Sequence, residues 1–169
     1  DIIVARREEI ERKTTNVSGI FTYLQEIYEE KEHPEDGRVK VTIQWEKGEL
    51  YADESLLKTV LINLTNNAIK ASDAGQSVEI TGSRRENGYY FQVRDEGIGI
   101  PAEECHKITE AFYMVDKSRS RAHNGAGLGL ALCTAILELH HSRLEIESTL
   151  GEGSCMSFLI PDEEGKADE

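Results

Sequence analysis

Apolar residues recur with two periods along this chain, and their alternation outlines a fold. Val17, Ile20, Phe21, Leu24, Ile27 and Tyr28 fall at helical spacing, with Asn16 or Ser18 placed to cap the first turn. His33-Pro-Glu-Asp-Gly37 is a turn cluster. Val39, Val41, Ile43 and Trp45 then alternate with Lys40, Thr42 and Gln44, the mark of a half-buried strand. Lys47-Gly48 turns the chain into a short strand over residues 49–52. Asp53 is the predicted N-cap of a second helix that runs to about Ser72 and stops at Asp73-Ala-Gly75. Residues 78–80 and 89–93 predict an antiparallel pair around Glu86-Asn-Gly88. Pro101 opens a short helix, and residues 113–126, mostly polar and without period, read as a loop. Residues 128–140 predict a third long helix, and residues 143–147 and 155–160 a last strand pair around Gly151-Glu-Gly153. Three repeats of a helix and two strands predict an α/β (α+β) two-layer sandwich, with helices on one face of a mixed sheet. Residues 1–13, charged around Ile2, Ile3 and Ile10, read as the stub of a helix from a preceding domain. Residues 14–161 then form the domain, and 162–169 an acidic tail.

A length of 169 residues fits that single domain, and a formal net charge of −13 narrows its partners. Nucleic acid is excluded as an expected partner by long-range repulsion. Any anionic ligand needs local positive charge, backbone donors or a metal ion. The cysteines, Cys105, Cys133 and Cys155, are odd in number and form no Cys-x-x-Cys. That argues for buried structural thiols in a reducing compartment, against a disulfide framework or zinc site. No apolar run approaches the ~18 residues of a membrane-spanning helix.

The residues with chemical promise fall in four places. Asn63, Asn67 and Lys70 share one side of the second helix, beside a face made by Leu57, Val60, Leu61, Leu64 and Ala68. They read either as a solvated helix edge or as Mg²⁺-binding amide oxygens with a phosphate-binding ammonium. Asp95 precedes Gly97 and Gly99; it is either a turn aspartate or an acceptor for an exocyclic amine such as that of adenine. Gly125, Gly127 and Gly129 precede the third helix, where they either cap and pack or offer backbone N–H groups to phosphate. This run is not a Rossmann fingerprint, since Leu130 stands where the pattern needs glycine. Lys117, Arg119 and Arg121 make a basic stretch between the two glycine groups, either solvated or facing phosphate. His140-His141 closes the third helix, where a cation suits the negative end of the dipole.

In order along the chain, these segments resemble the catalytic ATP-binding domain of sensor histidine kinases, within the superfamily of DNA gyrase, heat-shock chaperones and MutL. Residues 63–70 look like the N box, 95–99 the G1 box, 110–119 the F box, 125–130 the G2 box and 151–154 the last glycine box. The resemblance implies a Bergerat-type sandwich with a mostly antiparallel sheet, binding ATP and Mg²⁺ beneath a lid. By match, Asn67 ligates Mg²⁺ with help from Asn63, and Lys70 contacts phosphate. Asp95 accepts from the adenine amine, with Gly97 and Ser154 near the base, and Gly99 also belongs to the ATP site. Gly125, Gly127, Leu128 and Gly129 line the triphosphate; Tyr113, Lys117 and Arg119 belong to the lid side.

The resemblance also implies the reaction. Hydrolysing relatives and anti-sigma serine kinases typically carry a glutamate base where Asn63 stands, and an amide cannot take a proton. Phosphoryl transfer to a histidine on an adjacent domain is therefore expected, with a response regulator downstream. The readings set against it are an anti-sigma-type serine kinase and a non-catalytic ATP-dependent regulatory clamp. No histidine here sits in an acceptor motif, so the implied fragment binds ATP·Mg²⁺ but barely phosphorylates itself. It is expected to be monomeric, cytoplasmic and without direct membrane contact, within a homodimeric parent. Three departures stand out: Met114 in place of a frequent arginine, Ala71 in place of a frequent aromatic, and His141-Ser142 in place of Gly-Gly.

Overall fold

The computed structural model describes residues 10–29, 39–97 and 120–162, with the backbone alone for 120–128. The elements run β1 (Lys13–Asn16), α1 (Val17–Tyr28), β2 (Lys40–Trp45), β3 (Glu49–Ala52), α2 (Glu54–Lys70), β4 (Ser77–Arg85), β5 (Gly88–Asp95), α3 (Ser120–Leu139), β6 (Glu145–Thr149) and β7 (Gly153–Pro161). Five strands form one sheet in the order β2-β4-β5-β7-β6, and β1 pairs with β3 in a small second sheet. Only the β2–β4 pairing in the large sheet is parallel. This is the expected mixed, mostly antiparallel sandwich.

The predicted apolar periods form the core. Val17, Ile20, Phe21 and Leu24 of α1 are buried, as are Leu57, Val60, Leu61, Leu64 and Ala68 of α2. They meet alternate strand residues: Val41 and Ile43, Val78 and Ile80, Tyr89, Phe91 and Val93, then Met156, Phe158 and Ile160. Burying each large side chain contributes roughly 1.5–3 kcal/mol. Phe21 fastens α1 to the sheet: its ring stacks on Trp45 at 5.0 Å and on Phe91 at 5.7 Å. The helix caps are local. Asn16 accepts from Ser18 N, and Asp53 Oδ1 accepts from Leu56 N at 3.2 Å. Cys133 and Cys155 are buried as expected, and burial pushes the Cys133 thiol up to about 12.

Three readings change. Residues 10–12 are not helical, and Lys13 already belongs to β1. The β-branched pair Thr14-Thr15 lies opposite Tyr51 and Leu50, and burial of Thr15 rewards extended pairing over a helix. Residues 120–126 are helical, not loop, because α3 begins at Ser120; a formed helix gains a hydrogen bond with each residue it adds. His140 is fully buried, so it is not a solvated cation at the helix end. The turn at 33–37, the Pro101 helix and Cys105 lie outside the described residues.

Candidate functional site

The register of the large sheet assembles one end of the site. Asp95, the last residue of β5, lies opposite Ser154 of β7. Asp95 Oδ2 accepts from Ser154 Oγ at 2.8 Å, and Oδ1 accepts from Gly97 N at 2.8 Å. The carboxylate is buried, 7% exposed. Each oxygen keeps a further lone pair, so the group can still accept a ligand N–H.

Gly97 is seated against the end of α2. A Cβ added there would lie 2.0 Å from Ala71 O, so only glycine allows this approach. Ala71 caps the helix that carries the other candidates. The buried carboxylate and the amide-bearing face of α2 are therefore parts of one locality.

Along α2, Asn63 and Asn67 are half-buried and Lys70 is exposed, as the helical spacing predicts. Asn63 Nδ2 donates to Thr59 O at 2.9 Å. That bond fixes the amide, and its Oδ1 lies 3.1 Å from where a Cβ on Gly129 would sit. Asn67 Nδ2 is buried without a hydrogen-bond partner, an arrangement that costs free energy unless a ligand oxygen satisfies it. Lys70 sits in the last turn, where the dipole favours a cation. No cluster of three or more His, Cys, Asp or Glu occurs among the described residues.

Asn63, Asn67, Lys70, Gly97 and Gly129 of the expected set thus follow α2 and its two neighbours, and Asp95 and Ser154 complete the far end. Gly99, Tyr113, Lys117 and Arg119 lie outside the described residues. Gly125, Gly127, Leu128 and Gly129 do not precede a helix. They lie within the N-terminal half of α3, where backbone N–H groups serve the helix rather than a phosphate.

The chain matches the model of the histidine kinase-, DNA gyrase B- and HSP90-like ATPases over residues 52–164. The chain belongs to that family. The phosphate regulon sensor protein PhoR of Haemophilus influenzae is 43% identical over 112 residues, 66% of this chain and 26% of PhoR. The catalytic domain of histidine kinase ThkA superposes with a TM-score of 0.75 at 26% identity, covering 90% of this chain and 97% of that domain. ThkA has also been solved in complex with the response regulator TrrA; there the TM-score is 0.74 at 25% identity, covering 93% of this chain and 43% of the matched one. The chain spans about a quarter of the length of PhoR.

Two features of this family member had no clear sequence signal. His140 bridges α3 to the start of α2, although its spacing suggested only a helix end. Thr65 is fully buried in the core with no partner for Oγ1, although its neighbours marked the site side of α2.

Proposed function

We propose that this chain is the ATP-binding catalytic portion of a two-component sensor histidine kinase. It passes the γ-phosphoryl of ATP to a histidine on an adjacent helical domain. The observation that carries this reading is the seat of Gly97 on Ala71, which joins the buried Asp95 carboxylate to the helix bearing Asn63, Asn67 and Lys70. One end offers an acceptor for an adenine amine. The other offers amide oxygens and an ammonium for a triphosphate.

The residues present fit ATP with Mg²⁺. Mg²⁺ takes oxygen ligands and commonly needs only one or two from protein, the rest coming from phosphates and water. Asn67 and Asn63 would supply those protein ligands. The ion supplies neutralisation of charge on the phosphoryl oxygens. Asp95 and Ser154 orient the base, and Lys70 draws the phosphate chain along α2. Positioning and charge neutralisation then carry the reaction. The bond to the γ-phosphorus breaks as ADP leaves, and an N–P bond forms on the acceptor histidine. Asn63 offers no base, so the proton is taken by a group on the acceptor domain. A response regulator then receives the phosphoryl group. ATP and reduced thiols both favour a cytoplasmic position for this portion.

The test adds radiolabelled ATP and Mg²⁺ to this chain with and without the helical domain of its parent. Acid-labile label on a histidine, present only with that domain, is the expected result. Acid-stable label on serine, or nucleotide binding with no transfer, sinks the proposal.

A further inference from the structure

One aspartate joins three separate parts of the molecule. Asp53 Oδ1 caps α2 at Leu56 N, and its Oδ2 accepts from Glu11 N at 2.9 Å. Its own backbone N–H donates to His140 Nε2 at 3.0 Å. His140 Nδ1 lies 2.9 Å from Ile136 O. That carbonyl can only accept, so Nδ1 carries the hydrogen and Nε2 keeps its lone pair for Asp53. Glu11 leads directly into β1, which pairs with β3 up to Ala52 beside the cap. Arg12 lies over the Tyr51 ring, 5.1 Å from its centroid. The N-terminal segment, the start of α2 and the end of α3 therefore meet on one carboxylate and one imidazole.

We propose that Asp53 and His140 form a latch, opened by acid, that fastens residues 11–16 to the ends of the two helices flanking the nucleotide site. The latch needs neutral His140. A proton on Nε2 would set two donors, Nε2–H and Asp53 N–H, against each other. The imidazolium would also draw the Asp53 carboxylate off Leu56 N and Glu11 N. That releases the segment and uncaps α2, the helix that carries Asn63, Asn67 and Lys70.

The surroundings favour the neutral ring at ordinary pH. Burial lowers the His140 pKa below its usual value, and Arg12 on the segment and His141, the next residue in the turn, lower it further. The Ile136 carbonyl and the Asp53 carboxylate act in the opposite sense. Opening is therefore an acid event, below the ordinary imidazole range. Its effect on nucleotide rests on the ATP reading above; the latch does not.

The test is an amide NMR titration of the full chain from about pH 8 to about pH 5. Glu11, Asp53 and Leu56 amides are expected to move with the midpoint of the His140 ring. Asp53→Ser keeps an oxygen to cap α2 but lacks the second acceptor, so Glu11 should cease to follow the ring. Amides that stay still while the ring titrates, or a Glu11 response unchanged in Asp53→Ser, would overturn the latch. ATP affinity should fall about fivefold below the midpoint in the unmodified chain and much less in Asp53→Ser. Equal affinity on both sides of the midpoint overturns the coupling. A chain that binds no ATP at any pH overturns the ATP reading instead, and the amide titration alone then decides the latch.

Discussion

Gly97→Ala isolates the contact that joins the two ends of the site. Gly97 is not in the left-handed region, so alanine suits its backbone and only space opposes it. The new Cβ would stand 2.0 Å from Ala71 O and 2.6 Å from Ala71 C, both backbone atoms at the cap of α2. Real contacts of this kind essentially never fall below 3.0 Å, so one side must retreat by about 1 Å. If Gly97 retreats, its 2.8 Å bond to Asp95 lengthens; if Ala71 retreats, the end of α2 moves with Lys70. Overpacking of this size costs about 1–3 kcal/mol. At roughly 2–4 °C per kcal/mol for a domain of this length, the melting temperature should fall by about 2–12 °C. Gly75→Ala is the control. Gly75 has φ +91 with nothing within 4 Å, so alanine there meets strain of about 1–2 kcal/mol but no neighbour. Calorimetry should show a loss of stability in both variants, and titration calorimetry a loss of ATP affinity in Gly97→Ala alone. Wild-type melting and wild-type ATP affinity in Gly97→Ala would refute the reasoning.

Three further outcomes follow from the same geometry. Asp95→Asn removes a charged acceptor and should weaken ATP binding by about 1.5–3 kcal/mol, read by titration calorimetry; unchanged affinity would exclude Asp95 as the base-binding group. Thr65→Val replaces a fully buried hydroxyl that has no partner with an isosteric methyl, and denaturant melts should show a gain of about 1 kcal/mol. Stability should also depend on pH through His140, whose native pKa is lowered chiefly by burial. Unfolded chains take up that proton near 6.5 while the native protein still resists it, so this contribution is full above that range and is lost as pH falls through it. Urea melts across the acid range should show the decline, and it should shrink in His140→Gln.

Features carried by short sequence windows were legible before the structure. Leu57, Val60, Leu61, Leu64 and Ala68 announce the buried stripe of α2, and the same angular count puts Asn63, Asn67 and Lys70 beside it. Asp53 and Asn16 announce caps because capping depends on residues two or three positions away. Contacts between distant segments were not legible in local periods, although the family resemblance already put Asp95 and Ser154 together near the base. Ser154 meets Asp95 because β5 and β7 pair in one register, and no local period encodes that choice. β1 finds β3 across 37 residues in the Thr15–Ala52 contact, and a charged segment with scattered isoleucines gives no hint of it. His140 was misread for the same reason. Its spacing marks a helix end, whereas burial governs its charge and its ring accepts a hydrogen bond from Asp53 N, 87 residues away.

The position of Asn63 links this architecture to the kind of chemistry proposed. Its Nδ2 donates to Thr59 O, so that carbonyl selects a side chain with a hydrogen to give. A carboxylate in the same pose would set two acceptors against each other and lose that anchor. Its other end lies beside Gly129, where a Cβ on the neighbouring helix would meet Oδ1 at 3.1 Å. The amide is thus held as a fixed dipole between α2 and α3, with its oxygen available to a cation or an ordered water. A fixed dipole can orient and neutralise, but it cannot remove a proton from an attacking water. The scaffold therefore favours holding the nucleotide for an acceptor that brings its own base over hydrolysing it unaided.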